Sequence, residues 1–158
     1  MLRAMTLSIT LLILAFGSPA ARAQSLQVEP ACGGLGLRGR LAEGATTVTF
    51  ESCETPEGFR SRIWMGPPAG VPMTEAVKAG GVLTYRIAGV DISEPVSGEQ
   101  ASRMNEVMKS PEARLAASLW KRLKALGLRT DTVPMAALAA NLVGYEVEPS
   151  PPPEPPGP

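Results

Sequence analysis

The 158-residue chain carries 15 Lys/Arg against 15 Asp/Glu, with 16 glycines, 16 prolines, two cysteines and no histidine. Without histidine there is no Ser-His-Asp or Cys-His activation of a nucleophile and no imidazole to bind a metal, so ordinary hydrolase triads and H-E-x-x-H zinc sites are excluded. A charge balance this close to zero provides no basic stripe to attract nucleic acid or anionic lipid.

The first 23 residues read as a secretory signal peptide. Arg3 supplies the positive start, Leu7 to Phe16 form an apolar run, and Ala21-Arg22-Ala23 gives the small-x-small pattern that precedes cleavage between Ala23 and Gln24. The apolar run is too short for the roughly 20 residues a bilayer span needs, and no later stretch reaches that length. A soluble mature chain starting at Gln24 is expected, exported to a bacterial periplasm or to the extracellular medium. It has 135 residues and, once Arg3 and Arg22 are removed, 13 Lys/Arg against 15 Asp/Glu. That length suits one domain with a modest core, expected over residues 24–148.

Export puts both cysteines, Cys32 and Cys53, in an oxidising compartment and predicts a disulfide between them. Closing a loop of this length restricts the unfolded chain by roughly 3 kcal/mol in the entropy model. A redox pair would call for C-x-x-C spacing, which is absent.

Strand and turn signals fill the first part of the mature chain. Leu26 and Val28 alternate with polar residues, and a glycine-rich stretch, Gly33 to Gly39, follows. Within it Gly34, Gly36 and Gly39 satisfy the G-x-G-x-x-G spacing of dinucleotide-binding turns. The motif needs a strand before it and a helix after it, and neither pattern is present, so a turned loop pinned by the disulfide is expected and no cofactor. Thr46 to Ser52 reads as a strand, Cys53 to Gly58 as a turn, and Phe59 to Met65 as the returning strand of a hairpin. In that strand Phe59, Ile63 and Met65 share one face, and Arg60, Arg62 and Trp64 the other, a candidate binding surface combining cations with an aromatic ring. A loop or short helix is predicted at Thr74 to Ala79, and a strand at Val82 to Ile87.

After Ile92 the hydrophobic period lengthens to that of a helix. Ser97 and Gln100 are spaced as a capping box before Ala101, Met104, Val107 and Met108. Ser110-Pro111-Glu112 then opens a second helix with Leu115, Leu119, Leu123 and Leu126 in one stripe, closed by Gly127. A third helix is predicted from Asp131 or Thr132 through Leu142 to Gly144. The class is α+β: a small antiparallel sheet in the N-terminal half, three helices in the C-terminal half and one disulfide. The tail from Pro149 to Pro158 cannot build regular structure and is expected to be polyproline II or disordered.

Candidate chemistry is sparse. Glu51, Glu54 and Glu57 bracket the predicted hairpin turn, and paired carboxylates can hydrolyse a glycosidic bond without histidine. Against that, the mature chain has only six aromatic residues, several of them needed for the core, so solvated turn charges are the plainer reading. Two aspartates, Asp91 and Asp131, cannot form the ladder of a calcium loop, and Met104 and Met108 at helical spacing read as packing rather than as copper ligands. No metal is expected. The resulting expectation is a binding module for an envelope or extracellular protein, with a carboxylate-based glycan hydrolase as the competing class.

Overall fold

A computed structural model describes residues 23–125 and 146–155. Seven strands form one antiparallel meander in chain order: β1 (Gln24–Ala31), β2 (Gly36–Glu43), β3 (Thr46–Thr55), β4 (Gly58–Met65), β5 (Thr74–Ala79), β6 (Val82–Ile87) and β7 (Val90–Asp91). Two helices follow, α1 (Gly98–Lys109) and α2 (Pro111–Ala125). The α+β class is as expected, and the sheet is larger than the sequence suggested. The third predicted helix, with Leu126 and the Gly127 cap, lies outside the described residues.

Two segments take a different form from the one expected. Thr74–Ala79 is strand β5 rather than a loop or helix, because its pairing with both β4 and β6 satisfies the backbone and outweighs local propensity. Gly36 and Gly39 lie in strand β2 rather than in a turned loop. A Cβ on Gly39 would sit 1.6 Å from Phe50 Cε1, so this glycine leaves the space that the Phe50 ring occupies across the strand pair. The turn of the β3–β4 hairpin is also tighter than predicted, since only Pro56 and Glu57 separate the strands. Between β5 and β6, Gly80 and Gly81 have φ of +56° and +82°, the pair of left-handed residues that a type I′ hairpin turn requires.

The register sorts side chains cleanly. Leu41, Val48, Phe50, Ile63, Met73 and Ala76 form a core with Leu115, Ala116, Leu119 and Leu123 of α2. A second cluster joins Ile87, Val90 and Val96 to Ala101, Met104 and Met108 of α1. Both methionines therefore fill core, as their spacing indicated. The capping box forms as predicted, with Ser97 Oγ accepting from the Gln100 N–H at 3.3 Å and Gln100 Oε1 accepting from the Ser97 N–H at 2.8 Å. At the start of α2, Ser110 Oγ accepts from the Ala113 N–H at 3.2 Å and Pro111 takes the first helical position.

The C-terminal segment has no regular secondary structure over residues 146–155, yet its first part is attached. Asn105 on α1 brackets Val147 with two side-chain hydrogen bonds to its backbone, at 2.8 and 3.0 Å. Ser150 exchanges two more with the Val96 backbone. The exposed residues 151–155 therefore leave the body at a defined point.

Candidate functional site

The strand alternation that sends the apolar residues toward the helices sends charged residues to the opposite sheet face. One charged residue from each strand falls in a single cross-strand row: Glu29, Arg38, Glu51, Arg62, Glu75, Arg86 and Asp91. The signs alternate along the row, so every neighbouring pair is opposite in charge. Arg38 lies 3.7 Å from Glu29 and 2.6 Å from Glu51, Arg62 donates to Glu51 at 2.7 Å, and Arg86 donates to Glu75 at 3.2 Å.

Glu51, between Arg38 and Arg62 in this row, is buried, with a side chain only 8% exposed. Burial pushes its carboxyl upward, but the hydrogen bonds and charges of Arg38 and Arg62 outweigh that effect and hold it below its ordinary value. At the end of the row, hydrogen bonds from the Ser93 hydroxyl and backbone N–H lower the Asp91 carboxyl, with help from the charge of Arg86.

Each candidate from the sequence has a definite place here. Arg60, Arg62 and Trp64 do share this face, but Trp64 is buried. Its indole N–H donates to Gly70 O at 3.3 Å, and the Arg62 guanidinium lies 4.8 Å from its ring centroid. The aromatic member of the predicted surface is thus part of the support, and Arg60, 4.0 Å from Glu75, is its exposed member. Glu51, Glu54 and Glu57 do not converge. Glu51 points to the charged face, Glu54 alternates to the helix face, and Glu57 is in the β3–β4 turn. Cys32 and Cys53 are joined with their Cα atoms 6.0 Å apart. They lie beside Glu51, but the sulfurs are spent in the bridge and the carboxylate is held by two guanidinium groups, so this cluster is not a free donor set for a metal. Gln24, after the expected cleavage point at Ala23, is the first residue of β1.

A cleft of about 880 Å³ opens where this face meets the start of α2. Gln27, Glu29, Arg38, Arg40, Thr47 and Thr49 line it along β1, β2 and β3, Met65 and Gly66-Pro67-Pro68 line it from the end of β4 and the β4–β5 connection, and Glu112 of α2 adds a second carboxylate beside Glu29. That connection is tied to the sheet. The Gly66 N–H donates to Thr47 O at 2.8 Å and Thr49 Oγ1 donates to Gly66 O at 2.6 Å. The cleft is therefore built before any ligand arrives. Arg38 in it is committed to Glu51, whereas the exposed Arg40, flanked in register by Gln27 and Thr49, has no carboxylate partner among the described residues. Sequence reasoning missed Arg40 and the row of charges, since neither carries a motif and both depend on register.

No helix among the described residues is long and apolar enough to cross a membrane. No family model, curated protein or solved structure matches this chain.

Proposed function

We propose that this protein is an exported, non-catalytic binding module that works in the periplasm or outside the cell and recognises an envelope or extracellular protein through the charged sheet face. The observation that carries the reading is the cleft whose wall and floor are fixed by internal hydrogen bonds while Arg40 is left without a carboxylate partner among the described residues. A guanidinium in such a place suits a carboxylate on the partner, which it can engage with two parallel hydrogen bonds. Arg60 extends the same face as a second exposed cation. The export signal and the disulfide are consistent with that setting.

The competing reading, a glycan hydrolase using Glu51, Glu54 and Glu57, requires two carboxylates facing one substrate, with one of them protonated. Glu51 is held ionised by two arginines, and Glu54 projects from the other side of the sheet. Affinity capture from an envelope extract, run beside incubation with purified cell-wall glycan, distinguishes the two. A stoichiometric protein partner lost on Arg40→Ala is expected. Release of sugar fragments that disappears in Glu51→Gln would overturn the proposal.

A further inference from the structure

The two edges of the sheet are not equivalent. A paired edge hides its backbone donors and acceptors, whereas an open one is a template for another strand, so exposed edges are normally kept short, charged or interrupted. The β7 edge is two residues long and ends in Asp91. The β1 edge runs for eight residues with a single charge, Glu29, and a proline only near its end, Pro30, and among the described residues β1 pairs only with β2.

Which backbone groups of β1 are free follows from the alternation of the ladder. The Glu54 N–H donates to Leu35 O, and the Gly66 N–H donates to Thr47 O. Even-numbered residues of β3 therefore bond toward β2 and odd-numbered ones toward β4. In the β2–β3 register the odd residues of β2 meet β3, which leaves the amides of Arg38, Arg40 and Ala42 to meet Glu29, Gln27 and Ser25 of β1. The N–H and C=O of Gln24, Leu26 and Val28 consequently point away from the sheet, as does the carbonyl of Pro30. Pro30 fits this assignment, since its missing N–H faces outward where no ladder bond is lost.

We infer that this edge is a self-association surface, on which β1 of a second copy of this chain adds antiparallel about a two-fold axis at Gln27. The strand is complementary to itself in that register. Leu26 and Val28 exchange backbone hydrogen bonds with Val28 and Leu26 of the second copy, and Gln24 donates to its Pro30 carbonyl. Side chains agree as well. Val28, 41% exposed in the single chain, is brought beside Leu26 of the other copy on the helix face. On the charged face Gln27 meets Gln27, and Glu29 meets Ser25, so no like charges oppose one another. The two sheets become one continuous sheet, and the cleft-lining residues Gln27 and Arg40 of both copies fall in one row across it. This inference is independent of the ligand proposed for the cleft.

The test is sedimentation equilibrium on the oxidised chain starting at Gln24, across a concentration series, with Val28→Pro beside the wild type. The variant removes an outward N–H and leaves every bond to β2 in place, as Pro30 does naturally. A wild-type dimer is expected, weakened by roughly thirty-fold in Val28→Pro because two backbone hydrogen bonds are lost per dimer. Thermal melting at low concentration reports whether the variant folds. If it does not, Val28→Lys, which places a charge at the same exposed site, is read in its place. A wild type that stays monomeric, or a dimer unaffected by the folded variant, overturns the inference.

Discussion

Glu51→Gln tests the energetic core of the charged face. The substitution preserves shape and most hydrogen-bonding capacity, and removes one buried charge between two guanidinium groups. Three charge-assisted hydrogen bonds, at 2.6 and 3.1 Å from Arg38 and 2.7 Å from Arg62, are weakened. Arg38 is 41% exposed and recovers water readily, so the loss concentrates on Arg62, which is 29% exposed and whose Nε is already buried without a partner among the described residues. A charge-assisted bond contributes about 1.5–3 kcal/mol, and leaving a largely covered cation uncompensated adds to this, giving an expected loss of about 2–3 kcal/mol at pH 7. For a domain of this size that corresponds to a melting-temperature drop of roughly 6–15 °C.

The same variant carries a pH signature. The folded carboxyl of Glu51 titrates below its ordinary value of 4.5, so its contribution is fully present above about that pH and is lost as pH falls through the folded pKa. The gap in stability between wild type and Glu51→Gln, measured by denaturant unfolding at pH 7 and again near pH 3, should therefore narrow in acid. Asp91 titrates low as well, but it is common to both proteins and cancels in the difference. A gap below about 0.5 kcal/mol at pH 7, or one that does not change with pH, would refute the reasoning that the two arginines stabilise a buried carboxylate.

Gly39→Ala should destabilise the fold by about 1–3 kcal/mol, as overpacked cores do, and Phe50→Leu in the same chain should recover part of that loss by vacating the ring position; paired thermal melts check both. Reduction of the Cys32–Cys53 bridge should cost about 3 kcal/mol, read as a lower denaturant midpoint with dithiothreitol than without.

Local chemistry was enough to place the two described helices and the strands of the β3–β4 hairpin. Ser97 with Gln100, and Ser110 with Pro111, mark helix starts because the donors they satisfy lie within one turn, and the Leu115, Leu119 and Leu123 stripe faces the core as the period requires. The disulfide was legible from the presence of two cysteines 21 positions apart. Strand β5 was not, since Thr74–Ala79 has weak strand character of its own and is held by two neighbours. Nor was the role of Trp64: its position on the same face as Arg62 follows from alternation, but its burial comes from its surroundings in the fold, including the connection that accepts its indole N–H.

The sequence by itself determined the α+β class, the exclusion of histidine chemistry and the two faces of the β4 strand, because all of these depend on composition or on spacings of a few residues. Only the tertiary structure decided what the polar face amounts to. The row from Glu29 to Asp91 gathers residues up to 62 positions apart through six strand pairings, and a one-residue slip in any of them would send the charges of one strand to the opposite face. Register is a property of the assembled sheet, and among the described residues it leaves Arg40 without a carboxylate partner, Glu51 clasped and β1 open at its outer edge.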